Sequence, residues 1–143
     1  MKNVLITGIT GQDGLFLTKK YLDRKEDKTV FGISRSKNLE SFYQNLKSLE
    51  VKSLDNLNMV NIDLNNKTHV FDLLKKVKPQ AIYNFSGPSS VYKSLVDKKE
   101  SSTTIKNIFN NLSDSLIEQN NFCNFFQASS SEMYENISNN AID

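Results

Sequence analysis

Three groups of residues in this 143-residue chain have types and spacings that could do chemistry. Gly8, Gly11 and Gly14 recur at every third position of Gly8-Ile9-Thr10-Gly11-Gln12-Asp13-Gly14, although the whole chain holds only 5 glycines. Such a segment bends sharply and lets other atoms approach its backbone. Farther on, Gly32-Ile33-Ser34-Arg35-Ser36-Lys37 places an arginine and a lysine close together, and Ser129-Ser130-Ser131-Glu132 places three hydroxyls beside a carboxylate. The first group suits phosphate binding, because free N–H groups at the start of a helix attract an anion. The second suits a phosphate ester, which a guanidinium grips with two parallel hydrogen bonds. In the third, a glutamate could remove a carbon-bound proton; the same residues could equally form a serine-rich helix cap closed by Glu132.

These groups need a scaffold, and the hydrophobic pattern supplies one. Apolar runs of four to six residues alternate with amphipathic stretches, as in βαβ units around a buried parallel sheet. The strand candidates are Asn3 to Thr7, Thr29 to Ile33, Met59 to Ile62, Ala81 to Phe85 and Asn124 to Ala128. Helices are expected over Asp13 to Arg24, Leu39 to Leu49, Asn66 to Val77 and Lys98 to Asn120. The first should bury Leu15, Phe16, Leu17, Tyr21 and Leu22, and the third Val70, Phe71, Leu74 and Val77. The last should bury Ile105, Ile108, Phe109, Leu112, Leu116 and Ile117. The pattern predicts an α/β fold, a Rossmann-like doubly wound parallel sheet of about five strands, forming one domain over residues 1–143. A helix covering the fifth strand and a sixth strand beside it would fall beyond Asp143, so the chain is expected to be the first part of a longer protein. Phe122, Phe125 and Phe126 would then lie near an unfinished core and an open edge.

On such a sheet the glycine turn follows the first strand, and its three glycines have separate tasks. Gly8 permits the turn, Gly11 lets a pyrophosphate approach, and Gly14 lets the helix pack closely on the strand. The spacing is Gly-x-x-Gly-x-x-Gly, and a glycine-rich loop of no particular purpose is the alternative. The end of the second strand should declare the cofactor. No acid stands there to hold a ribose hydroxyl pair, whereas Arg35 could meet a 2′-phosphate and stack on adenine, which favours NADP over NAD. Ordinary solvated cations remain the other reading of Arg35 and Lys37. Asp63-Leu64 after the third strand and Phe85-Ser86-Gly87 after the fourth lie where ligands bind in open parallel sheets. Asp63 could accept a hydrogen bond from the adenine amine, and Ser86-Gly87 could pass under ribose and nicotinamide. Each could also merely cap the following helix.

Composition narrows the remaining classes. A charged content of 24% with net charge +2 lacks the basic excess of a nucleic-acid binder. One cysteine, Cys123, allows no intramolecular disulfide, and with His69 as the one histidine no zinc-ligand cluster is available. No apolar stretch is long enough to cross a bilayer, and Met1-Lys2-Asn3 leads directly into a strand. A cytoplasmic protein with neither nucleic-acid nor membrane partners and no metal site is expected.

Together, Gly8 to Gly14, Asp63-Leu64, Asn84 to Val91 and Gln127 to Tyr134 resemble the extended short-chain dehydrogenase/reductases. Within them, Gly-Ile-Thr-Gly-Gln-Asp-Gly and Gln-Ala-Ser-Ser-Ser-Glu-Met-Tyr are similar to the GDP-mannose 4,6-dehydratase family. The resemblance implies that Thr10, Gly11, Gln12 and Asp13 line the pyrophosphate, Arg35 meets the 2′-phosphate, and Asp63-Leu64 holds adenine. It implies Ser130 in place of an active-site threonine and Glu132 as catalytic base. Ser89, Ser90 and Ser94 would border the sugar, and Ser131 would face it. The reaction implied is an internal redox cycle on a sugar nucleotide. Hydride leaves C4 of the hexose for NADP⁺, a base removes the C5 proton acidified by the new ketone, water departs from C6, and hydride returns to C6. The relatives usually associate, so a homo-oligomer is implied for the full-length protein.

Some positions depart from the family pattern. Its Tyr-x-x-x-Lys pair belongs on a helix after the fifth strand, beyond this chain; Tyr21 to Lys25 and Tyr43 to Lys47 match the spacing but fall in other helices. Ser130 replaces threonine, Ser90 a usual histidine and Glu135 a glycine, and Pro88 interrupts the loop after strand four. Two alternatives follow: an epimerase or reductase of the same superfamily, and a non-catalytic NADP-binding domain or degenerate fragment.

Overall fold

The computed structural model describes residues 2–24, 27–87 and 98–129, with the side chains of 98–100 excepted. In chain order the elements are β1 (Lys2–Thr7), α1 (Gln12–Asp23), β2 (Lys28–Ser34), α2 (Glu40–Ser48), β3 (Leu57–Asn61), α3 (Lys67–Val77), β4 (Ala81–Asn84), α4 (Lys98–Glu118) and β5 (Asn124–Gln127). Every strand is parallel to its neighbours, in the order β3-β2-β1-β4-β5. The α/β fold and the five-stranded parallel sheet are as the sequence pattern predicts. β3 begins two residues earlier than expected and β4 ends one earlier, at Asn84.

The strand order fixes where a ligand can bind. From β1 the chain winds outward to β3, then returns to the other side of β1 to lay down β4 and β5. The loops leaving β1 and β4 therefore part in opposite directions and open a crevice at their carboxyl ends.

Alternate residues of β1 feed two cores, the consequence of a period of two in a strand buried on both faces. Val4 and Ile6 join Ile9, Val30, Phe42 and Leu46 under α1 and α2. Leu5 joins Ile33, Ile82, Val70 and Leu74 under α3 and α4, with Ile108, Leu112 and Leu116 contributed by α4. Burying side chains of this size contributes roughly 1.5–3 kcal/mol each.

Three helix faces differ from expectation. In α1 the residues buried on the sheet are Gly14 and Thr18, while Leu15, Leu17 and Tyr21 pack to the flanks and Phe16 is 50% exposed. The helix lies so close to β1 that only small residues fit along the contact line, and the Thr18 hydroxyl turns inward to donate to Gly14 O at 2.7 Å. In α3, Leu73 rather than Phe71 completes the buried set. In α4, Ile108, Leu112 and Leu116 form a strict four-residue repeat that leaves Ile105, Phe109 and Ile117 outside, with Ile117 73% exposed. Phe109 instead meets Phe125 edge-on, ring centroids 5.7 Å apart. Phe122 and Phe126 are exposed, whereas Phe125 packs against the α3–α4 core.

Candidate functional site

At the carboxyl end of β1 the backbone turns at Gly8 with φ +62°, a left-handed conformation that strains any residue with a side chain. Space is equally restrictive there. A Cβ on Gly8 would lie 2.7 Å from Phe85 O and 3.0 Å from Ser86 N, so the turn passes directly against the end of β4. Gly11 N–H donates to Gly8 O at 2.9 Å and closes the turn. A Cβ on Gly14 would meet Ile9 Cα at 2.6 Å and Gly8 O at 2.7 Å, which sets how closely α1 approaches the turn. Gly11 has an ordinary φ of −74°, is exposed, and would bring a Cβ no nearer than 3.2 Å to Gly8 O.

α1 begins at Gln12 with Gly11 as N-cap and no side chain capping it. Its first-turn N–H groups, on Gln12, Asp13 and Gly14, therefore point outward from the positive end of the helix dipole, an arrangement that fits a pyrophosphate. Thr10, Gly11 and Gln12 also border a cavity of about 420 Å³ shared with Phe16, Asn45 and Ser48.

The ends of β2 and β3 form the next part of the site. Asn61 Nδ2 donates to Ser34 O at 2.9 Å, and Ser36 N–H to Ser34 Oγ at 3.1 Å, fixing the path of the chain on either side of Arg35. Arg35 itself is exposed. Asp63 accepts from Asn65 N–H at 3.0 Å and from Asn65 Nδ2 at 3.1 Å, both on Oδ1. The backbone N–H of Asn65 is the main reason its carboxyl is held below the usual carboxylate range. The Asn65 side chain adds to it, a slight desolvation opposes both, and Arg35 and His69 contribute smaller attractions. Asp63 does not cap α3: Asn66 does, accepting from His69 N–H at 3.1 Å. Leu64 is buried beneath this loop, and its carbonyl accepts from Asn111 Nδ2 of α4 at 2.9 Å.

A buried polar chain joins the carboxyl ends of β1, β4 and β5. The Thr7 hydroxyl donates to Asn84 Oδ1, Asn84 Nδ2 donates to Gln127 Oε1 at 2.7 Å, and Gln127 Nε2 donates to Ala128 O at 2.9 Å. Ser86 N–H lies 3.3 Å from both Thr7 Oγ1 and Asn84 Oδ1, so the loop after β4 is held by the same chain. Unpaired polar groups at such depth would each cost about 1–3 kcal/mol, so the network also fixes the strand ends relative to one another.

The structure thus gathers Gly8, Thr10, Gly11, Gln12, Asp13 and Gly14 with Phe85, Ser86 and Gly87 at the switch point, and Arg35 with Asp63 and Leu64 beside them. Ser89, Ser90, Ser94, Ser130, Ser131 and Glu132 lie outside the described residues, as do Pro88 and Glu135. Asn84 and Gln127 open two of the motifs that carry the family resemblance, but the sequence assigns no role to either, nor to Thr7 or Asn111. The signal available for the first three was a polar residue closing an apolar strand.

The sequence matches the family model described as GDP-mannose 4,6 dehydratase over residues 5–143. It is 32% identical over 142 residues to GDP-mannose 4,6 dehydratase of Cricetulus griseus, an alignment covering 93% of this chain and 37% of that protein. Among solved structures, UDP-N-acetylglucosamine 4-epimerase from Methanobrevibacter ruminantium superposes with a TM-score of 0.74 at 21% identity, over 99% of this chain and 42% of that one. dTDP-glucose 4,6-dehydratase from Bacillus anthracis, solved in complex with NAD, gives 0.71 at 19% identity, over 99% and 41%. The chain therefore spans well under half the length of these proteins.

Proposed function

The chain belongs to the GDP-mannose 4,6-dehydratase family, and on that premise we propose that it is the NADP-binding part of a nucleotide-sugar 4,6-dehydratase that converts GDP-mannose to GDP-4-keto-6-deoxymannose. The observation that carries the reading is the cradle between Gly8, Gly14 and the end of β4, where no Cβ could fit, opening onto the uncapped first turn of α1. A pyrophosphate fits there because it needs backbone donors at close range and no side chains in the way.

In this reading Thr10, Gly11, Gln12 and Asp13 hold the pyrophosphate, and Arg35 pairs with the 2′-phosphate. Asp63, which accepts from Asn65 through Oδ1, offers Oδ2 to the adenine amine while Leu64 lies beneath the base. Phe85, Ser86 and Gly87 flank the nicotinamide half. NADP⁺, when bound, supplies a hydride acceptor and donor. Glu132 then takes the proton from hexose C5 once C4 is a ketone, and Ser130 hydrogen-bonds the C4 oxygen. Ser89, Ser90, Ser94 and Ser131 orient the sugar. The full-length protein forms a homo-oligomer and works in the cytoplasm; among the described residues no helix is long and apolar enough to cross a membrane.

The test is equilibrium titration of the chain with NADPH and NADH. Micromolar NADPH binding at least tenfold tighter than NADH supports the reading; equal affinities would remove NADP from it, and no binding of either would remove the cofactor site. One second reading is a 4-epimerase of the same superfamily, whose fold this chain shares. Glu132→Gln in a full-length protein separates the two, since an epimerase requires no C5 base and would retain its turnover.

A further inference from the structure

We propose that Asn111, in the middle of α4, is a positioning residue for the adenine end of the cofactor site. The proposal rests on the dinucleotide reading above. β3 is an edge strand, so the loop that follows it has a strand neighbour on one side only. Inside that loop the bonds are local: Asp63 Oδ1 takes two donors from Asn65, Asn66 N–H donates to Asp63 O at 3.1 Å, and Asn66 caps α3. Such bonds give the loop a shape but do not set its height above the sheet. Two anchors outside the loop do: the Leu64 side chain, buried in the α3–α4 core, and the Asn111 amide, which reaches across 47 residues of sequence to the Leu64 carbonyl at 2.9 Å.

α4 is a suitable anchor. Its own position is fixed by the buried Ile108, Leu112 and Leu116, by Gln119 Nε2 donating to Phe71 O at 2.8 Å, and by Lys67 pairing with Glu118 at 2.8 Å. The same helix passes under the loop after β4, where Ile105 Cγ1 lies 3.6 Å from the place a Cβ on Gly87 would occupy. One rigid element thus supports the loops at both ends of the site. Asn111 acts on adenine through Leu64 and Asp63, without touching the ligand.

The experiment uses the 143-residue chain, with 2′,5′-ADP as probe of the adenine end and inorganic pyrophosphate as probe of the glycine turn. Asn111→Leu fills the same volume without a donor, and Asn111→Asp keeps the shape but places an acceptor against the Leu64 carbonyl. Both are expected to weaken 2′,5′-ADP binding about tenfold, the scale of one lost hydrogen bond with its carbonyl left unpaired. Pyrophosphate affinity should stay within about twofold, and amide exchange at Asn65 and Asn66 should accelerate without acceleration in β1. Unchanged 2′,5′-ADP affinity, or equal loss of both probes, overturns the proposal. If Asn111→Leu does not fold, Asn111→Ser carries the same expectations. A wild-type chain that binds pyrophosphate but not 2′,5′-ADP would overturn the dinucleotide reading itself. In that case, unchanged exchange at Asn65 and Asn66 in the variants would separately refute the tether.

Discussion

Around Gly8 and Gly14 the backbones of β1, α1 and β4 come together with little room for side chains, whereas around Arg35 and Asp63 the side chains themselves form the surface. The glycine turn is built by steric exclusion, and its geometry is inseparable from the packing of the fold. The region of Arg35 and Asp63 is built by hydrogen bonds and charge on exposed residues, and it can change with little effect on the fold. Substitutions at the first end should therefore register in stability, and those at the second in ligand preference.

The largest effect is expected at Gly8. Gly8→Ala adds a left-handed backbone penalty of about 1–2 kcal/mol to an overpacking penalty of about 1–3 kcal/mol against Phe85 O. Urea unfolding should show a loss of about 2–5 kcal/mol by these two effects. A loss under 1 kcal/mol would mean that the turn and β4 are not in contact. Arg35→Ala should do the reverse. NADPH affinity is expected to fall about 10- to 100-fold with the loss of a charge-assisted pair, NADH affinity to change less than about threefold, and the urea midpoint to stay in place. Equal losses for both cofactors would sink the assignment of Arg35 to the 2′-phosphate.

Gly11 lies on the boundary between the two behaviours. Its φ is ordinary and its nearest obstruction is Gly8 O at 3.2 Å, so Gly11→Ala should leave stability within about 1 kcal/mol of wild type. The new methyl would nonetheless stand where the proposed pyrophosphate would approach, and NADPH binding is expected to weaken by about tenfold or more for want of close backbone contact. Calorimetric titration beside thermal melting separates the two effects. Wild-type binding by a stable Gly11→Ala would show that the anion does not approach Gly11.

The same contrast explains what could be read from the sequence. The alternation of apolar runs gave the strands and helices because burial on two faces of a parallel sheet leaves a strong local pattern, as in Val4-Leu5-Ile6. Gly8 and Gly14 were legible because steric demands act on the residue type at the position itself. The face of α1 was not, since its contact line depends on how near the helix sits, and that distance is set by Gly14 and Thr18 rather than by Phe16. The linkage of Thr7, Asn84 and Gln127 is illegible for another reason: their partners are 77 and 43 residues away. Each alone is an unremarkable polar residue at a strand end. Asn111 is hidden in the same way, a polar position on a helix whose apolar repeat is the louder signal.

The smallest expected effect tests whether Arg35 and Asp63 belong to one electrostatic neighbourhood. The Asp63 carboxyl is held below the usual carboxylate range, chiefly by Asn65 and to a lesser degree by Arg35. A group whose pKa is lower in the folded state stabilises the fold above its unfolded pKa, and that contribution disappears as pH falls through the folded value. Because Asp63 is exposed, solvent screening keeps the contribution under about 1 kcal/mol. Asp63→Asn preserves an Oδ1 acceptor for Asn65 and removes only the charge. Wild type should therefore unfold at slightly higher urea than Asp63→Asn at pH 7, and the gap should shrink as pH falls through the folded pKa of Asp63 and its carboxyl takes up a proton. Repeating the pair in an Arg35→Ala background should narrow the gap at pH 7 without closing it, because Asn65 supplies the larger part. A gap independent of pH would assign the difference to packing instead of charge. A gap unaffected by Arg35→Ala would separate the two residues and make the roles proposed for the β3 and β2 ends electrostatically independent.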